Sequence, residues 1–160
     1  MKKLAIISEY NPFHNGHNFI QKKAKEITKA NLVIAIMSGD FVQRGEPSLI
    51  DKYKRADSAM ISADLIIEMP SFISLQSANL FARKNIEILN KLKIDYLAFG
   101  IENISEEDFF KSVENILNNN ENIDKKQNIF WIRAYHFPRH PMRLQKHMPL
   151  MKIFFLPIIF

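Results

Sequence analysis

Four short apolar runs recur along the first hundred residues: Leu4-Ala5-Ile6-Ile7, Leu32 to Met37, Asp64-Leu65-Ile66-Ile67-Glu68 and Tyr96-Leu97-Ala98-Phe99. Each is short and largely unbroken rather than alternating, which predicts strands buried on both faces, as in a parallel sheet. Between them lie stretches of helical period. Phe19, Ile20, Ala24 and Ile27 give one apolar face to a helix from about Gly16 to Ala30. A second helix runs from about Asp51 to Ser62, and a third from about Leu75 to Leu92 with Leu80, Ile88, Leu89 and Leu92 inward. Ser105-Glu106-Glu107 reads as an N-cap with an acidic first turn, opening a helix to about Asn118. Strand and helix alternate four times, the pattern of an α/β fold: a parallel sheet with helices on both faces.

In such sheets ligands bind beyond the carboxyl ends of the strands. All four glycines (Gly16, Gly39, Gly45, Gly100) follow or close a strand, and so do His14 and His17. The first of these loops, Glu9-Tyr10-Asn11-Pro12-Phe13-His14-Asn15-Gly16-His17, joins strand one to helix one. A helix N-terminus offers amide hydrogens and partial positive charge to a phosphate. Gly16 lets backbone approach a ligand, and His14 and His17 flank it with donors suited to pentavalent phosphorus. Nucleotidyl transfer needs chiefly positioning and charge neutralisation, so His-x-Gly-His at this turn is a candidate device for it. The alternative is two ordinary surface histidines near a cap. Two histidines with no third ligand at fixed spacing do not make a zinc site.

The second loop, Met37 to Pro47, contains Arg44, a candidate to clamp an anionic substrate bidentately; the alternative is a solvated loop arginine. Asp51, Lys52 and Arg55 read as a solvated charged face, with Lys52 able to reach the mouth of the site. Glu68 and Glu102, each just past a strand, are candidates for ribose or metal contacts, against the plainer reading of exposed carboxylates. Phe99-Gly100 offers bare backbone to an adenine ring.

Composition sharpens two points. The chain has 160 residues, 47% hydrophobic and 24% charged, which suits one globular α/β domain and argues against disorder. It has no cysteine, excluding disulfides, thiolate metal sites and cysteine nucleophiles. Only about five apolar residues follow Met1-Lys2-Lys3, too few for a secretion signal, so a cytoplasmic location is expected. The net charge of +5 suggests nucleic acid until it is divided along the chain. Residues 129–160 carry Arg133, Arg139, Arg143, Lys146 and Lys152 and no acid, so residues 1–128 are balanced. Four of the seven prolines, three of the five histidines and the one Trp also lie in 129–160. The expected organisation is therefore a domain over 1–128 and an atypical basic, apolar tail over 129–160.

The runs IISEYNPFHNGH, MSGDFVQRGEP, DKYKRADSAMISADLIIEMP, QSANLFARKNIEILNKL and FGIEN, in that order, resemble the bacterial tRNA(Met) cytidine acetate ligases across residues 1–124. His-x-Gly-His alone would point only to the broader nucleotidylyltransferase superfamily. The resemblance implies a Rossmann-like nucleotidylyltransferase domain that binds ATP; Mg²⁺ is expected beside it as the default ion for ATP. It implies acetyl-adenylate formation from ATP and acetate, then acetylation of N4 of the wobble cytidine of elongator tRNA(Met). ATP would lie along Ile7, Ser8, Glu9, Tyr10, Asn11, Pro12, Phe13, His14, Asn15, Gly16, His17, Asn18, Phe19 and Ile20, and against Gly100. His14 and His17 would hold the phosphates, as catalytic residues. Arg44 is assigned to the substrate from its loop position, not from the resemblance. Replacing either histidine by Ala is expected to cost adenylate formation about 2.7–4 kcal/mol with folding largely intact. Another adenylyltransferase, or a nucleotide-binding remnant without catalysis, are the competing functions.

The family's members are longer, and continue with GxSxPxA-like, PNNILG-like and SSDYHD-like segments, the last two supplying an Asn and an Arg to the ATP site. Codons for Ala134 to His140, regrouped one base earlier, can read GLSFPKA, and those for Phe155 to Phe160 can read FLTNNI. The expectation is a slipped reading frame near Asp124–Asn128, in A-rich codons, leaving a truncated chain whose tail was not selected to pack on the domain. An uninterrupted frame in the DNA across that run would refute it. The other readings of the tail are a basic arm stacking RNA on aromatics and a metal tract of His136, His140 and His147.

Overall fold

In a computed structural model the described residues are 1–101, 108, 111, 112, 115 and 152–157, with 44, 101 and 152–157 described in backbone only. Strands β1 (Lys3–Ser8), β2 (Leu32–Ser38), β3 (Leu65–Met69), β4 (Tyr96–Ile101) and β5 (Lys152–Pro157) form one sheet in the order β3-β2-β1-β4-β5. The first four are parallel. Helices α1 (Asn15–Thr28), α2 (Lys52–Ala59), α3 (Ser71–Ser74) and α4 (Ala78–Lys91) complete the elements used here.

Side chains of a strand alternate between its faces, so an unbroken apolar run serves two cores at once. Leu4 and Ile6 of β1 face one cluster with Ile20 and Ala24 of α1, Val33, Ala35 and Met37 of β2, and Ala59 of α2. Ala5 faces the other, with Ile34 and Ile36 of β2, Ile73 of α3, Leu89 of α4 and Leu97 of β4. The expected parallel sheet with helices on both faces is thus observed.

Two details differ from expectation, and a third lies mostly outside the described residues. The helix expected from Leu75 to Leu92 is α4, Ala78–Lys91 with Ser77 at its N-cap, and the short α3, with Pro70 at its N-cap, precedes it where no helix was expected. Of the helix expected from Ser105 to Asn118, Asp108, Lys111, Ser112 and Asn115 are described and helical, and the remainder lies outside the described residues. No element was expected over 129–160, yet Lys152–Pro157 pairs antiparallel with β4, Ile153 opposite Gly100. Main-chain pairing at a free strand edge asks only for an extended partner, and the apolar run KIFFLP supplies one. The rest of 129–160, including its histidines and Trp131, lies outside the described residues.

The chain begins in the middle of the sheet, moves outward through β2 and β3, and crosses back to β4. β1 and β4 are neighbours that are not consecutive, with Ile6 opposite Ala98. The carboxyl ends of β1 and β4 therefore flank the switch point where such sheets open a crevice.

Candidate active site

The first loop leaves β1 at Ser8 and turns sharply. Tyr10 adopts the left-handed region (φ 48°), and the Asn11–Pro12 peptide bond is cis. The turn drives the Tyr10 side chain inward, where the residue is 1% exposed. Gln21 Nε2 donates to its hydroxyl at 2.5 Å. Burial pushes the Tyr10 pKa up to about 12, against the lowering effect of that hydrogen bond. The phenol is neutral, a floor for the site rather than an acid within it.

On this floor stand Phe13 and His17. Ring centroids lie 5.3 Å apart for Tyr10–Phe13 and 5.0 Å for Tyr10–His17, both edge to face. His14 stacks on His17 with centroids 3.8 Å apart. The two histidines also close the N-terminus of α1. His14 is its N-cap, with Nδ1 accepting from the Gly16 amide at 3.1 Å, while His17 Nδ1 accepts from the His14 amide at 3.3 Å. This is a capping box built from imidazoles instead of hydroxyl and carboxylate. An Nδ1 that accepts leaves the proton of a neutral ring on Nε2, so each ring keeps an Nε2–H to donate. Burial, then the neighbouring His14, lowers the His17 pKa to about 4. His17 is uncharged at neutral pH.

A pocket of about 350 Å³ opens here, lined by Ser8, Glu9, Tyr10, Asn11, Pro12, His14 and His17. Seven members of the expected ATP segment therefore share one cavity. The others have different places. Ile20 is buried in the core beside α1, Gly16 is buried within the first turn, and Ile7 and Phe13 pack at the edges of the two cores. Asn15, Asn18 and Phe19 follow along α1, where Asn18 Oδ1 is buried without a hydrogen-bond partner among the described residues. Gly100 is exposed on β4, two residues beyond Ala98, the partner of Ile6. Arg44 lies in a single 3-10 turn, Gln43–Gly45, and Glu102 lies outside the described residues.

The second loop is fastened to the first. Glu9 Oε1 accepts from the Gln43 amide at 2.9 Å, and Asn11 Oδ1 from the Leu49 amide at 2.7 Å. Two side chains of the expected ATP segment thus hold the neighbouring loop. Beside them, Lys52 donates to Glu68 at 2.9 Å and lies 3.6 Å from Asp40. The hydrogen bond from Lys52 to Glu68 chiefly raises the Lys52 pKa. Gly39 makes room for this pairing, since a Cβ there would strike the Glu68 carboxylate. Glu68 is exposed, as the plainer reading held, and is occupied by a lysine.

One expectation is corrected. Arg55 does not belong to a solvated face: it is 1% exposed. Asp51 caps α2 by accepting from the Tyr53 amide at 2.9 Å, and one turn later Arg55 points under the loops. Its Nε donates to the Ile50 carbonyl at 2.9 Å, Nη1 to the Glu9 carbonyl at 2.5 Å, and Nη2 to the Gly39 carbonyl. Sequence reasoning missed it because an arginine beside Asp51, Lys52 and Lys54 looks like surface. The neighbouring Ala56 and Ala59, which place that stretch of helix against the sheet, were the available signal.

Among the described residues, no group of three or more His, Cys, Asp or Glu is placed to hold a metal ion, and no helix is long and apolar enough to cross a membrane.

Residues 1–152 match the model of a family described as HIGH Nucleotidyl Transferase. A tRNA(Met) cytidine acetate ligase from Pediococcus pentosaceus is 52% identical over 104 residues, covering 64% of this chain and 28% of that protein. One from Listeria welshimeri is 41% identical over 145 residues, covering 84% and 36%. Among solved structures, apo TmcAL of Thermotoga maritima superposes with a TM-score of 0.66 at 36% identity, covering 75% of this chain and 29% of that one. The same protein bound with alpha-thio ATP gives 0.64 at 40% identity, covering 73% and 29%. The chain thus spans about a third of the length of the curated relatives it matches.

Proposed function

The chain belongs to the HIGH Nucleotidyl Transferase family, and from that premise we propose that it binds ATP for the chemistry of a tRNA(Met) cytidine acetate ligase. An acetate oxygen attacks the α-phosphorus of ATP, forming acetyl-adenylate and releasing pyrophosphate. The N4 amine of the wobble cytidine of elongator tRNA(Met) then takes the acetyl group and releases AMP. Curated relatives named for that activity and a structural neighbour bound with alpha-thio ATP support the reading.

The observation that carries it is the stacked His14–His17 pair, whose Nδ1 atoms are both spent on backbone amides. Each ring offers Nε2–H to phosphate oxygens, beside the positive end of α1. Fixed donors of this kind stabilise charge that develops at phosphorus without having to reorganise. ATP would run along the Ile7–Ile20 segment with its base toward Gly100, and Arg44 would meet the anionic co-substrate. Mg²⁺ would travel with the triphosphate, the usual habit of that ion in nucleotide sites. The domain would be residues 1–128, and the enzyme would work in the cytoplasm.

Acetate-dependent ATP–pyrophosphate exchange tests the proposal, on this chain and on a version with the reading frame restored after Asp124. Exchange is expected to fall by about 2.7–4 kcal/mol in transition-state stabilisation in H14A or H17A. Full exchange in both variants would overturn the site. Exchange only after frame restoration would assign the chain as it stands to the nucleotide-binding remnant. Release of a stable nucleotidylated metabolite in place of acetyl transfer to tRNA would assign another adenylyltransferase.

A further inference from the structure

The Glu9–Tyr10 peptide is the hinge on which the histidine loop hangs. It leads into a non-glycine residue at φ 48°, a conformation that costs about 1–3 kcal/mol and persists only where its surroundings enforce it. Three contacts do so. Gln21 holds the Tyr10 hydroxyl, Ser8 Oγ accepts from the Tyr10 amide at 3.4 Å, and Arg55 Nη1 holds the Glu9 carbonyl. The first two come from the segment that contains the hinge, β1 to α1. Arg55 alone reaches it from α2.

The same guanidinium gathers Gly39, beyond the end of β2, and Ile50, before α2. Three chain segments are referred to one planar group through three different nitrogens. Arg55 has no carboxylate at ion-pair distance among the described residues, so its charge is turned against carbonyl dipoles instead of being cancelled by contact. Burial lowers its pKa while Asp40, Asp51, Glu9 and Glu68 raise it, and a guanidinium stays protonated throughout the working range.

We propose that Arg55 is the positioning residue of the site: it orients the Glu9–Tyr10 peptide, and through the left-handed turn at Tyr10 it brings His14 and His17 together over the first turn of α1. Lysine cannot substitute, because its three donors share one nitrogen and do not form a planar fork. The consequence for nucleotide binding rests on the function proposed above; the positioning of the histidines does not.

The test is R55K in the full chain, with the imidazole of His17 titrated by NMR. The wild type is expected to titrate near 4, and R55K to move back toward 6.5, with the amide signals of β1 to β4 unchanged. A purely structural arginine would lower the melting temperature and leave that titration where it was. An unmoved His17 in folded R55K overturns the proposal. Should R55K not fold, the wild type decides: slow exchange of the Arg55 Nε and Nη protons is expected, and fast exchange overturns it. As a second arm, α,β-methylene ATP is expected to bind R55K about tenfold more weakly than wild type. Equal binding would overturn a role in the site. A wild type that binds none, with His17 responding to R55K as expected, would overturn the nucleotide reading and sustain the positioning role.

Discussion

At neutral pH His17 is uncharged because Tyr10 and Phe13 enclose it and His14 lies against it. This links the residue to stability. In the unfolded chain it takes up a proton near pH 6.5, and in the folded chain only near 4. Between those values the unfolded state holds more protons, so stability falls as the pH is lowered through that window. Urea unfolding at pH 7, 5.5 and 4.5 measures the effect. His17→Gln keeps a capping-box partner without the titration, and is expected to show a flatter pH dependence than the wild type. An equal slope would refute the assignment. The cap gives His14 a share in stability as well: His14→Ala removes an N-cap, worth about 0.5–2 kcal/mol, in a fold expected to stay largely intact.

Between elements, the coupling runs through few buried polar groups. Gln21 of α1 donates to the Tyr10 hydroxyl and accepts from Ser62 Oγ, just beyond α2, so one amide joins the loop after β1 to both helices on that face. Tyr10→Phe leaves the Gln21 amide buried with a missing partner, which costs about 1–3 kcal/mol. Thermal unfolding of Y10F, Q21M and the double variant should show the double losing less than the sum of the singles, since the second change removes the orphan left by the first. Strict additivity would mean that the two side chains do not share a bond. The same economy appears in the second loop, which Glu9 and Asn11 hold by its backbone.

Over the whole molecule, β5 differs from β1 to β4 in direction: those four run parallel, and β5 pairs antiparallel with β4 at the edge of the sheet. Deleting residues 129–160 is expected to leave the four-stranded parallel sheet folded, with far-ultraviolet circular dichroism and the His17 titration retained. It also uncovers an apolar strand edge, the usual template for pairing between chains. Light scattering should therefore report more association than in the full chain. Loss of the fold on deletion would show that the tail contributes to the core.

The apolar runs and helical periods sufficed to determine the α/β alternation, the two-faced burial of β1 and β2, and the place of His14, Gly16 and His17 at the turn after β1. These follow from local rules: side-chain alternation, helical period, and glycine and histidine at a strand end. The short α3 was less legible, because a single turn of four residues after Pro70 is too brief to show a helical period. The role of Arg55, the fastening of the second loop by Glu9 and Asn11, and the β4–β5 pairing were decided by the tertiary structure alone. The bonds from Arg55 to Glu9, from the second loop to Glu9 and Asn11, and between β4 and β5 join residues at least 34 positions apart through a backbone carbonyl or amide. Such groups are the same in every residue, so no side-chain pattern along the chain announces which of them will meet.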